Sequence, residues 1–179
     1  MVATISQTEA IPATYPASPA GLSAAAAALS APMLWQRLEG YVAHRWTSRA
    51  IVWVAEGPGD WQPPLKPATI STVERWTGEA WEATTDLLPS ALGGYQLPGC
   101  GPYRFTGTVG SGTPPATVLE AFRRLAEYMA TTDEKPGARS FSETVPDVYT
   151  GAVERSPAWM AQALVNSGAA DLLRRYRRA

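Results

Sequence analysis

Tyr95–Val109 reads YQLPGCGPYRFTGTV, and its second half sets the reading of the fold. In Tyr103–Val109, Tyr103, Phe105 and Val109 share one face, while Arg104, Thr106 and Thr108 take the other. That two-residue period belongs to a strand with one buried and one exposed face. Tyr95–Leu97 lies on the far side of Pro98-Gly99-Cys100-Gly101, so the segment predicts a β-hairpin closed by turn chemistry.

Upstream, Arg49–Glu56 (RAIVWVAE) is short and rich in β-branched and aromatic residues, which predicts another strand. Thr69–Trp76 and Trp81–Thr84 flank Thr77-Gly78-Glu79-Ala80. A four-residue loop there places Trp76 opposite Trp81, an aromatic cross-strand pair. Two large aromatics at one turn are hard to bury in a small domain, so this hairpin is expected to project from the surface and make contacts there.

Helical spacing surrounds this β region. Ser23–Leu29 predicts a short alanine-rich helix, and Ser30 with Pro32 opens a second that runs to about Trp46, with Leu34, Leu38, Tyr41 and Val42 inward. Thr113-Pro114-Pro115 opens a long helix to about Thr131. Its inner face is Val118, Phe122, Leu125 and Met129, and its outer face Glu120, Arg123, Arg124 and Glu127. Phe141–Val145 has strand character. Ser156-Pro157 starts a helix with Trp159, Ala163 and Leu164 inward, ended by Ser167-Gly168, and Ala169–Arg178 closes the chain as a last short helix. No internal repeat is read. Residues 1–20 hold Pro12, Pro16 and Pro19 among small polar residues. Alone such a segment cannot offset its ordering entropy; within an assembly it can be pinned as an extended arm.

The chain has 179 residues and a formal net charge of -1, so whole-chain charge gives no sign of nucleic-acid binding. Lys66 and Lys135 are the only lysines, and four arginines fall in the last six residues. The longest apolar run, Ala24–Leu29, is too short to span a bilayer, and Met1–Gly21 has no basic residue to begin a signal peptide. The expectation is a protein made and kept in the cytoplasm, or in a particle assembled there.

Candidate chemistry is thin. His44 is the only histidine and Cys100 the only cysteine, which is too few ligands for a usual zinc site and leaves His44 without a nucleophile placed by any motif. His44 reads as a residue of a helix surface or interface. Gly107, Gly110 and Gly112 form GxxGxG with no Lys-Ser or Lys-Thr after it, so neither phosphate-loop fingerprint is met. Asp60, Glu74, Glu79, Glu82, Asp133 and Glu134 read as solvated charge, and most of the seven tryptophans as core or subunit interface. No catalytic residue, metal or cofactor is expected. In the terminal helix Leu172, Leu173 and Tyr176 fall within an arc of roughly 100°, with Arg174, Arg175, Arg177 and Arg178 around the rest. A helix this short is marginal alone, so its stripe points to a partner groove. The alternative is a small nucleic-acid-binding module whose arginine-rich helix meets DNA phosphates.

Arg155–Arg178 (RSPAWMAQALVNSGAADLLRRYRR) resembles the end of the head–tail connector, or adaptor, family of long-tailed phages and gene transfer agents. The core of the likeness is Ser167-Gly168-Ala169-Ala170-Asp171-Leu172-Leu173-Arg174 followed by Tyr176-Arg177. The order of elements over residues 31–179 is also similar, although Ala24–Ala28 and the proline-rich arm stand where that family has an acidic helix pair. The resemblance implies an α+β, mainly helical fold, a small helical bundle with an inserted β-hairpin subdomain at about 49–110 and a C-terminal tail helix. It implies an arm at 1–22, an adaptor domain at 23–166 and a portal-docking tail at 167–179. It further implies a structural, non-enzymatic subunit of the virion neck, assembled in the bacterial cytoplasm as a dodecameric homo-oligomeric ring. That ring sits between the portal protein and the stopper or tail terminator, away from membranes and with non-specific contact with DNA in the channel. The portal-binding residues would be Leu172, Leu173, Arg174, Arg175, Tyr176, Arg177 and Arg178. Residues 169–179 would then be frayed in the free subunit and ordered on docking.

Overall fold

Period-two patterning draws more of this chain into sheet than its helical segments suggest. The computed structural model describes residues 1–131, 140–145, 149–154 and 161–177. Among the described residues more lie in strands than in helices, which corrects the mainly helical expectation: the fold is neither a helical bundle nor a bundle with a β insert. Two units are distinguished, Met1–Pro16 with Ala43–Thr113, and Ala17–Val42 with Pro114–Arg177. They cut across the expected 1–22, 23–166 and 167–179 segments.

The first unit is built on a five-stranded antiparallel sheet whose strands lie in the order Ala3–Glu9, Arg49–Glu56, Tyr103–Val109, Ala68–Trp76 and Trp81–Ala83. The strands are β1 (Ala3–Glu9), β2 (Arg49–Glu56), β3 (Gly59–Trp61), β4 (Ala68–Trp76), β5 (Trp81–Ala83), β6 (Leu88–Pro89), β7 (Tyr95–Leu97) and β8 (Tyr103–Val109). Strands β3, β7 and β6 make a second, small sheet in that order. The alternation read in Tyr103–Val109 holds, with Tyr103, Phe105 and Val109 buried. The hairpin drawn from it does not. β7 pairs with β3 and β6, because β8 has both edges taken by β2 and β4. Pro98 to Pro102 thus connects two sheets.

One side of the large sheet carries the core: Ile51, Trp53 and Ala55 of β2 and Tyr103, Phe105 and Val109 of β8, packed with Trp61, Leu65 and Leu97. Trp61 stacks on Phe105 with ring centroids 3.9 Å apart. Gly107 permits the central ladder, since a Cβ there would lie 2.1 Å from the Thr69 carbonyl oxygen. The β4–β8 register shifts beside it, between Ile70 and Thr72.

The N-terminal segment is extended, and it lies on the chain's own sheet. β1 pairs along β2 from Ala3↔Glu56 to Glu9↔Ile51. Its side chains are exposed up to a half-buried Glu9, so no apolar pattern announces this strand.

The second unit gathers around α3 (Ala116–Thr131), whose Val118, Phe122, Leu125 and Met129 are buried as the spacing predicts. The others are α1 (Ala24–Ala27), α2 (Ala31–Tyr41), α4 (Ala163–Asn166) and α5 (Ala169–Leu172), with a 3-10 turn at Arg174–Tyr176. Strands β9 (Ser140–Val145) and β10 (Tyr149–Glu154) form a two-stranded antiparallel ladder. Ser23 caps α1 by accepting from Ala26 N–H at 3.2 Å, and its own backbone N–H and hydroxyl donate to Glu127 at 2.7 and 2.8 Å. Trp35 meets Phe122 at 5.1 Å between centroids. α2 stops five residues before Trp46 because Val42 is extended (φ -119, ψ 159). The chain then bridges to Lys66, through Arg45 N–H on Lys66 C=O and Lys66 N–H on Ala43 C=O, both 2.9 Å. The helix expected from Ser156-Pro157, with Trp159, lies outside the described residues, apart from α4 at its end.

Candidate functional site

Two places carry the residues singled out by the sequence, one in each unit. In the helical unit, Gly168 turns the chain with φ 72 before α5. Gly168 N–H donates to Val165 C=O at 3.0 Å and Ser167 N–H to Ala163 C=O at 3.0 Å, so orphan carbonyls at the end of α4 are satisfied. α5 is a single turn and the 3-10 turn follows it, which corrects the continuous helix expected over Ala169–Arg178. The three residues of the expected docking stripe also part company. Leu173 is 0 % exposed, in the buried core with Ala169 and Ala170, whereas Leu172 and Tyr176 are half-buried. Leu173 is therefore already buried within the chain.

The arginines do face outward. Arg174 and Asp171 pair at 3.3 Å, with side chains 81 % and 72 % exposed, a separation at which solvent screening leaves little net energy. Arg175 lies over the Tyr176 ring at 5.2 Å. Arg177 folds back on α2, its Nη1 donating to the Tyr41 hydroxyl at 3.2 Å and its guanidinium 4.7 Å from that ring's centroid. Arg178 lies outside the described residues. The segment presents a basic, partly aromatic surface: Arg174, Arg175 and Arg177 around Tyr176.

In the sheet unit, Trp76 and Trp81 stand opposite each other across β4 and β5, ring centroids 5.4 Å apart and tilted by 58°. The turn closes through Thr77 N–H on Ala80 C=O at 3.0 Å, with Gly78 at φ 106. Trp76 is 37 % exposed and Trp81 half-buried. Arg104 of β8 lies over the Trp81 ring at 4.6 Å. It also forms a bidentate pair with Glu74, both contacts 2.6 Å. That hydrogen bonding holds the Glu74 carboxyl below its ordinary pKa and raises Arg104. The guanidinium beside the tryptophans is thus already matched by a carboxylate. The surface is an aromatic ledge whose nearest guanidinium is paired.

The constellation that sequence reasoning missed is buried at the start of the sheet. Glu9 accepts from Arg45 Nε at 2.5 Å and Nη2 at 3.0 Å and from Arg49 Nη1 at 3.1 Å. Arg45 and Arg49 are each 8 % exposed. Beside them Trp53 Nε1 donates to Gln7 Oε1 at 2.8 Å, and Trp61 Nε1 donates to Thr4 Oγ1 at 2.9 Å. Partners 36 to 57 residues apart leave no local pattern to find.

The remaining candidates, His44 and Cys100, lie elsewhere in the sheet unit. His44 sits at the bridge to Lys66, off the helix where it was expected. Its ring centroid is 4.9 Å from that of Trp46, and burial first, then the charge of Arg45, lowers its pKa. Cys100 is exposed on the loop between β7 and β8. Of the tryptophans described, Trp35, Trp46, Trp53 and Trp61 are buried. Among the described residues no group of three or more His, Cys, Asp and Glu could hold a metal ion, and no helix is long and apolar enough to cross a membrane. Compared with protein-family models, curated proteins and solved structures, the chain matches none of them.

Proposed function

We propose that this chain is a structural head–tail adaptor, a subunit of a ring between the portal and the stopper or tail of a phage or phage-like particle. The observation that carries the reading is the C-terminal segment. Ala169, Ala170 and Leu173 are buried and α5 packs on α3 and α4, so the exposed Arg174, Arg175 and Arg177 follow on an ordered turn. Arginine forks held in this way suit carboxylates and backbone carbonyls of a protein partner. The ledge of Trp76 and Trp81 is a second surface of the kind found at interfaces. The SGAADLLRRYR run is the part of the sequence that resembles the adaptor family.

The test keeps the core intact. Replacing Arg174, Arg175 and Arg177 together by Ala should leave the free subunit folded and abolish its joining to the portal, giving tailless or DNA-leaking particles. Normal neck occupancy by this variant would refute the reading. The nucleic-acid alternative predicts instead that the free wild-type chain binds random-sequence DNA with a steep salt dependence, lost in the same variant.

A further inference from the structure

We infer that β1 is an exchangeable arm: in assemblies of this chain, residues 3–9 of one copy complete the sheet of a second copy by pairing along its β2. The inference does not depend on a portal and stands or falls separately from the adaptor reading.

The outer edge of β2 behaves as a keyed receptor for one sequence. It offers a ladder from Ile51 to Glu56 and two indole N–H groups, of Trp53 and Trp61, that need acceptors. It also offers a two-arginine pocket that needs a carboxylate. Thr4, Gln7 and Glu9 answer these in register. Main-chain pairing gives such an edge its affinity and the side-chain pockets its selectivity. No member of the sheet unit's buried core lies in Ala3–Glu9. An arm that leaves takes no core side chain of its own with it, but it uncovers the Trp53 and Trp61 N–H groups and the Arg45–Arg49 pocket, so the emptied edge has to be refilled by an identical arm.

The connection also favours exchange. Ala10–Pro16 belong to the sheet unit, with Ala10 N–H on Ala50 C=O at 3.0 Å and Arg49 over the Tyr15 ring, so they travel with the arm. Residues 17–22, with Pro19, then form the connection and fully extended span about 20 Å, a reach that suits a copy lying directly alongside. Contacts made in trans are the same as those made in cis, so linker stiffness and local concentration decide between them. Passed from copy to copy the arm links a ring; returned reciprocally it links a dimer.

Disulfide trapping tests this. Thr8 faces Val52 across the ladder and neither belongs to the lock, so the full chain carrying Thr8→Cys, Val52→Cys and Cys100→Ser is oxidised at rising concentration. The expected result is covalent dimers and higher species on a non-reducing gel. An intramolecular bond alone at every concentration overturns the inference, as does absence of any bond or a wild-type chain that never oligomerises. If the triple variant fails to fold, wild-type oligomers are titrated with a synthetic peptide of residues 1–12. The peptide should dissolve them, and its Glu9→Gln form should need at least tenfold more. Oligomers that ignore the wild-type peptide overturn the inference equally.

Discussion

Leu173→Ala separates a docked C-terminal segment from a loose one. Leu173 is 0 % exposed, and its neighbours Ala169 and Ala170 are buried with it. Removing a fully buried leucine to Ala costs about 2–5 kcal/mol, the transfer loss plus the cavity left behind. For a chain of 179 residues each kcal/mol moves the melting midpoint by about 2–4 °C, so a drop of at least ~4 °C is expected. Urea unfolding of the free subunit followed by circular dichroism reads the same loss, with Arg175→Ala as an exposed control that should stay within ~0.5 kcal/mol of wild type. If Leu173→Ala melts with the wild type, the segment is not packed in the free subunit. Leu172, Leu173 and Tyr176 would then form an open stripe that folds only on a partner.

Three further outcomes follow from named contacts. Hydrogen bonds from Arg123 first and Arg124 second pull the Glu120 carboxyl from 4.5 down to about 2; its contribution to stability is therefore present above about 4.5 and is lost as the pH falls from there through 2, and an NMR titration with a midpoint near 4.5 would contradict the pairing. Gly107→Ala drives a Cβ to 2.1 Å from the Thr69 carbonyl, a backbone atom that cannot swing away, so urea melts should show a loss of at least about 1–3 kcal/mol; wild-type stability would mean that β4 does not approach β8 in this register. Replacing both Trp76 and Trp81 with Ala should leave the sheet unit folded, costing about 0.5–1.5 kcal/mol for the aromatic pair, and should impair assembly; an unfolded variant whose surviving fraction assembles normally would place the pair in the core.

What was legible in the sequence was legible wherever a local period coincides with burial. Val118, Phe122, Leu125 and Met129 had to share a helix face, and they are buried. The Trp76–Trp81 register followed from turn length alone, and the ladder has it. The Tyr95–Val109 hairpin failed because adjacency in sequence is only a prior for pairing. β8 sits in the middle of the sheet with neighbours from Arg49–Glu56 and Ala68–Trp76, and nothing local says that both its edges will be filled. β1 failed for a different reason. Its fixings are hydrogen bonds to Trp53 and Trp61 and a carboxylate between Arg45 and Arg49. Polar fixings of that kind leave no hydrophobic period, so composition read the segment as unable to order itself.

The terminal arginines show how one pattern supports two physical readings. On a wheel, apolar positions opposite four arginines look like a helix seeking a groove, because a wheel shows which residues share a face and not whether that face is already covered. Gly168, with its positive φ, decides this: it breaks the chain between α4 and α5 and lets Ala169, Ala170 and Leu173 reach the buried core. Once those residues are spent in cis, ordering the turn is part of folding the unit and no longer a cost of binding. On the proposed reading, a partner would then meet Arg174, Arg175 and Arg177 on a prepared surface, and the motif would hold charged forks in place instead of supplying apolar area for docking. Core and arginine substitutions should therefore separate, the first acting on the stability of the free subunit and the second on assembly alone.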